Sequence, residues 1–224
     1  MTYAKTLALL VLLSCSGCRS LNNEAATIES EFKDIGFSCP VEGLALGGPK
    51  WQSFKDISRQ CRLAGVEAGY GPVKLSTFLC ACLAISADAE NFSKNIASKT
   101  DSYSKTEANE CLRHLSWQAQ ITCNYGPIAA KALGDIREQE ALDAKRDLGD
   151  INRDLAHNYI GRYFMQLLKD DGLKTSLNRC RKVSHALASF AVQENSCVRI
   201  DEKRPSDSDL ELSAKKFGQY QEDL

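Results

Sequence analysis

The chain has 224 residues, with 28 Lys and Arg against 29 Asp and Glu, 43 % hydrophobic residues and ten cysteines. A net charge of −1 excludes the clustered basic excess that phosphate contacts demand, so no nucleic-acid partner is expected. Near-average apolar and charged fractions exclude a disordered or fibrous chain and leave one domain, or two small ones, with the cysteines as the unusual feature.

Residues 1–17 have the three-part layout of a secretory signal. Lys5 supplies a positive charge, residues 6–13 are uninterrupted apolar, and small residues follow. That run is under half the ~20 residues of a bilayer-spanning helix, and no later stretch reads as long and apolar enough to span. Ser16-Gly17-Cys18 resembles the end of a bacterial lipobox, where a small pair precedes the cysteine that becomes the lipidated N-terminus. Cys15 stands where that family usually has an aliphatic residue, and Leu12-Leu13-Ser14-Cys15 offers a second frame. The resemblance implies that the Cys18 thiol accepts a diacylglycerol and that its freed amine takes a further chain, which makes anchoring durable. It also implies an outer-membrane destination in a two-membrane bacterium, because Arg19 replaces the Asp that commonly signals inner-membrane retention. The alternative is ordinary cleavage after Gly17 or Cys18 and a soluble secreted protein.

Residues 18–31 are polar and read as a lipidated N-terminus and tether to a helical domain spanning 32–200. Gly47-Gly48-Pro49-Lys50 lacks the P-loop pattern and reads as a turn into a helix. Trp51, Phe54, Ile57, Cys61 and Ala64 then fall at helical spacing up to Gly65, and Gly69-Tyr70-Gly71-Pro72 punctuates the chain. Residues 73–87 are the most apolar of the mature chain and are expected to form the central core helix. Residues 86–110 are polar and read as an excursion with one short amphipathic helix around Phe92 and Ile96. Asn91-Phe92-Ser93 is a glycosylation sequon there, with meaning only in a eukaryote.

Cys111, Leu112, Leu115, Ala119 and Ile121 mark the next helix, ended by Asn124-Tyr125-Gly126-Pro127. Residues 128–171 stay helical in pattern, and 135–154 carry eleven charged residues of twenty. Ala141, Ala144, Leu148, Ile151 and Leu155 recur at 3-4 spacing, which fits a long charged surface helix kinked or broken near Gly149 rather than a coiled coil of sufficient length. A last helix is expected over 173–192, followed by a polar, acidic tail over 201–224 with seven acids against four bases.

Setting Cys15 and Cys18 aside leaves Cys39, Cys61, Cys80, Cys82, Cys111, Cys123, Cys180 and Cys197, an even set that reads as a disulfide framework in an exported chain. Cys111 and Cys123 share a helix and would stand about 18 Å apart, beyond the ~7 Å limit for a bridge. Cys80 and Cys82 point about 200° apart and must reach different neighbours, while Cys39 suits a cysteine of the first or second helix. No metal site or cofactor is expected, since His114, His157 and His185 are scattered and Cys15-Ser16-Gly17-Cys18 ends a signal segment.

Cys111 and His114, three apart, have the spacing of a thiolate–imidazole pair, but an exported cysteine is better read as half of a disulfide. His157 is expected to be solvated and His185 to be a satisfied helix histidine. Arg179, Arg181 and Lys182 form a small basic surface patch. The fold expectation is an all-α, disulfide-stapled helical bundle with one long charged helix and a polar C-terminal tail. With no catalytic signature, the expected role is a non-enzymatic adaptor, assembly or surface-interaction component of a bacterial envelope, anchored by lipid and bound to another envelope protein. The alternative is a soluble secreted binding module with a pocket around Phe78, Tyr163 and Phe164.

Overall fold

Pro49, Pro72 and Pro127 each open a helix, where the missing amide costs nothing and the fixed φ is already helical. The computed structural model describes residues 49–97, 105–170, 172–173, 175–194, 196–199 and 203–220. Among them run seven helices and no strand: α1 (Pro49–Glu67), α2 (Pro72–Ala97), α3 (Lys105–Tyr125), α4 (Pro127–Asp143), α5 (Leu148–Asp170), α6 (Leu177–Gln193) and α7 (Asp207–Tyr220). The protein is an all-α, disulfide-stapled bundle. The signal segment, Cys15, Cys18, the tether, Cys39 and the side chains of Trp51 and Phe54 lie outside the described residues.

The centre of the bundle is α3, which packs against α2, α4, α5 and α6. Every residue from His114 to Cys123 is buried, so the helix has no solvent face for almost three turns. Residues 73–87 were the more apolar candidate for that place. Instead, the polar residues of α3, Ser116, Gln118, Gln120 and Thr122 among them, are the ones enclosed on all sides.

Two apolar clusters flank α3. One gathers Leu112, Leu115, Ile160, Phe164, Met165, Leu187, Leu210 and Phe217 from α3, α5, α6 and α7. The other gathers Cys61, Phe78, Cys82, Ile85, Trp117, Ile121 and Leu133 from α1 to α4. By length and composition α2 is apolar enough to cross a bilayer, contrary to the reading above; here it is a core helix, burying Phe78, Cys82 and Ile85.

The supposed excursion at 86–110 is helix wherever it is described. Its small residues Ala89, Ser93 and Ala97 are buried in α2, and Phe92 and Ile96 pack on the first cluster. The charged stretch breaks slightly before Gly149, at residues 144–147. There the Lys145 and Arg146 amides donate to the carbonyls of Leu142 and Ala141, with Lys145 left-handed at φ 59°. Asp147 Oδ1 then caps α5 by accepting the Gly149 amide at 2.8 Å and the Asp150 amide at 3.2 Å. The 3-4 series is therefore divided between two helices, with Ala141 and Ile151 buried but Ala144 and Leu148 exposed.

The acidic C-terminal stretch is also more ordered than its composition implies. Ser206 and Asp209 form a reciprocal capping box at the start of α7. Leu210, Ala214 and Phe217 then face inward at helical spacing, with Phe217 5.4 Å from the Phe190 ring centroid. Tyr159 and Tyr163 of α5 donate to Asp207 and Glu211 along the outer edge of that contact.

Three bridges tie these elements. Cys61–Cys82 joins α1 to α2, Cys123–Cys180 joins α3 to α6, and Cys111–Cys197 joins α3 to the segment after α6, with Cα atoms 6.0, 5.7 and 5.9 Å apart. Cys80 is disulfide-bonded as well. Neither Cys111–Cys123 nor Cys80–Cys82 is a bridge, as the helical geometry requires.

Helix α5 reaches α3 closely because Gly161 has no side chain. A Cβ there would lie 2.7 Å from the Leu115 carbonyl oxygen and 3.1 Å from its Cα, both backbone atoms that cannot turn aside. Gly161→Ala is expected to cost about 2–3 kcal/mol despite alanine's better helix propensity, read as a lowered urea midpoint at unchanged slope.

Candidate functional site: a buried polar seam behind a charged cavity

His114 and Gln118 of α3 find their partners on α5. Asp154, Asn158 and Arg162 recur every four residues and so line one face of α5. His114 Nδ1 lies 2.8 Å from Asn158 Oδ1, and Arg162 donates to Gln118 Oε1 at 3.0 Å. Gly134 of α4 leaves room for this ladder, since a Cβ there would come within 3.1 Å of Gln118 and 3.2 Å of Asn158. Further along α4, Glu138 is buried beside the His114 end of the seam.

At that end three potential ligands meet. Donor atoms of His114, Glu138 and Asp154, from three different helices, all lie within 4.8 Å of one another. His114 Nε2 stands 3.4 Å from Asp154 Oδ1, and neither carboxylate oxygen of Glu138 has a hydrogen-bond partner. Burial, and then the Asp154 charge, push Glu138 up to about 7. Burial, and then Glu110, push Asp154 up to about 6. Burial, reinforced by Arg113 and Arg137, holds His114 well below the usual histidine range. The group therefore favours its neutral forms, with a Glu138 carboxyl able to take or give a proton near neutrality.

In front of the seam, α1 to α4 line a half-open cavity of about 880 Å³. Trp117 stands in its wall, donating to Ser86 Oγ at 2.9 Å, and the Arg137 guanidinium lies over its ring at 5.4 Å. Arg113 reaches Glu90 at 3.5 Å and His114 Nε2 at 3.2 Å, while Glu140 is engaged by Arg59 and Gln60. Lys94 and Arg146 add positive charge to the rim. An aromatic wall with converging guanidinium groups is suited to a planar or anionic ligand.

A second polar hub is structural. Asp88 of α2 accepts from Arg181 at 2.8 Å and from Gln120 at 2.9 Å, and meets His185 Nε2 at 2.7 Å, clamping α2, α3 and α6. Burial raises its carboxyl, but the hydrogen bonds and charges of His185, Gln120 and Arg181 outweigh this and hold it below the usual range. Asp88→Ala is expected to lower stability by about 3 kcal/mol, read in a urea titration, because it strands Arg181 and His185 in a partly buried position.

Sequence-expected residues are thus redistributed. The Cys111–His114 pair is not a dyad: the thiol is spent on Cys197, and the imidazole turns to Asn158 and Asp154. His157 is fully buried rather than solvated, its Nε2 3.1 Å from the Val198 amide and 3.0 Å from the Val198 carbonyl. It also sits beside Cys111 and Cys197, whose sulfurs are already bonded to each other. His185 is satisfied as expected, against Asp88 and stacked on Phe92 at 3.9 Å. Of the basic patch, Arg181 serves the Asp88 hub, while Arg179 and Lys182 are exposed. Phe78, Tyr163 and Phe164 do not share a pocket: Phe78 and Phe164 are fully buried in different clusters and Tyr163 faces α7.

The seam residues Glu138 and Asp154 are hidden in a charged run that reads as solvated, and Asn158 lies just beyond it. The one local signal was the four-residue recurrence of Asp154, Asn158 and Arg162. No protein-family profile, curated protein or solved structure matches the chain.

Proposed function

We propose that the mature chain is a lipid-anchored protein of a bacterial cell envelope that works by binding, as an adaptor or assembly component, with another envelope protein as its partner. The observation that carries this reading is the oxidised framework. Cys61, Cys80, Cys82, Cys111, Cys123, Cys180 and Cys197 are all disulfide-bonded, a state that persists outside the reducing cytosol. Joined to the lipobox-like Ser16-Gly17-Cys18, it favours export with anchoring at Cys18. A second reading, a secreted ligand-binding module, is favoured by the cavity beside Trp117 and Arg137.

Fractionation of a two-membrane bacterium expressing the full chain separates the two readings. The wild type is expected in the outer-membrane fraction and Cys18→Ala in the soluble periplasm; equal distribution of both proteins would refute lipid anchoring.

A further inference from the structure

We propose that His114, Glu138 and Asp154 form a binding site for one divalent transition-metal ion of the zinc or manganese class, behind the part of the cavity wall that His114 supplies. One imidazole and two carboxylates from three helices make a donor set that such borderline ions favour. Bonds of about 2.0–2.2 Å bring ligand atoms to roughly 3–4.4 Å of one another, so donor atoms within 4.8 Å lie close to a coordinating arrangement.

Two further features point to an ion. Glu138 is only 3 % exposed, yet both of its carboxylate oxygens are unpartnered, which is costly for a group with no ligand to meet. Asn158 Oδ1, as the acceptor at 2.8 Å, fixes the His114 proton on Nδ1 and leaves Nε2 as the accepting nitrogen, now met by the Arg113 guanidinium at 3.2 Å, with Asp154 Oδ1 3.4 Å away. That is the arrangement by which an outer carbonyl orients a metal-binding histidine. Binding releases any proton held on the two carboxyls, and no electron changes hands.

Arg113 is the competitor. Its guanidinium lies 3.2 Å from Nε2 on the cavity side, and it also reaches Glu90 at 3.5 Å, the partner to which it turns when an ion enters. Arg137, Arg146 and Arg153 add positive charge around the two acids, so affinity is set by how far these cations are screened. The rival account is an internal ion-pair network closed to metals. It differs in one respect: removing Arg113 would then destabilise the fold and give nothing in return.

The test is calorimetric titration of the oxidised, chelator-stripped protein with Zn²⁺, and separately with Mn²⁺, alongside thermal unfolding. One ion per chain and a raised Tm are expected for at least one of the two. Glu138→Gln keeps the shape and removes a buried charge, so it should fold, and it should weaken binding at least tenfold. Arg113→Gln should tighten it. A folded wild type with no saturable uptake of either ion, or a Glu138→Gln protein that binds as the wild type does, would overturn the site. Neither outcome bears on anchoring at Cys18, which is tested separately.

Discussion

Paired alanine substitution of Cys111 and Cys197 is expected to lower the stability of the oxidised domain by about 4–5 kcal/mol, the largest single loss among the three described bridges. The bridge closes the longest loop, 86 residues, against 57 for Cys123–Cys180 and 21 for Cys61–Cys82. Loop-closure entropy rises with the logarithm of length, so the corresponding values for the other two are about 4 and 3 kcal/mol. Cys111–Cys197 also holds Val198 against His157, so its loss frees the segment after α6 as well. Against a typical total of about 5–15 kcal/mol, one such bridge is a large share of the fold. Urea denaturation of the three paired variants should rank them by loop length. Equal midpoints for all three, or a Cys111/Cys197 variant as stable as the wild type, would show that the bridges do not act through the unfolded chain.

Acidification is the second large effect, and it centres on His157. Burial depresses its folded value to about 3 from an ordinary 6.5, so the neutral ring stabilises the fold above pH 6.5 and that contribution is lost as the pH falls toward 3. At ~1.4 kcal/mol per pH unit, His157 alone removes about 3 kcal/mol by pH 4, and the depressed His114 works in the same direction. Glu138 and Asp154 oppose them. Their folded values are raised, so their contribution is complete below the ordinary carboxylate range and is lost as the pH rises through about 6 and about 7. The wild type is therefore pulled in both directions between pH 7 and 4.5. His157→Gln should leave a shallower acid limb, and Glu138→Gln a steeper one. Denaturation midpoints measured across that window decide the matter, and an unchanged acid slope in His157→Gln would contradict the buried neutral ring.

The helix boundaries were legible because their causes are local. Pro49, Pro72 and Pro127 open helices, and Gly126 precedes one of them with φ 92°. The exclusion of Cys111–Cys123 and Cys80–Cys82 followed from helical rise and period alone. Burial of polar groups is another matter. His114 and Asn158 are 44 positions apart, Arg153 and Glu110 are 43 apart, and His157 and Val198 are 41 apart. Nothing near any of these residues in the chain announces its partner. The same cause puts α3 rather than residues 73–87 at the centre of the bundle, because Gln118 and Thr122 are enclosed although their side chains are polar. In α7 the error ran the other way: three apolar residues at helical spacing, Leu210, Ala214 and Phe217, were outweighed by the acidic composition around them.

The proposed export and tethering at Cys18 stand or fall with the mass of the N-terminal peptide of the membrane-extracted protein. A lipid-anchored chain begins at Cys18 and carries a diacylglycerol thioether together with an acylated amine. A peptide that begins at Arg19, one that retains residues 1–17, or an unmodified Cys18 would contradict it.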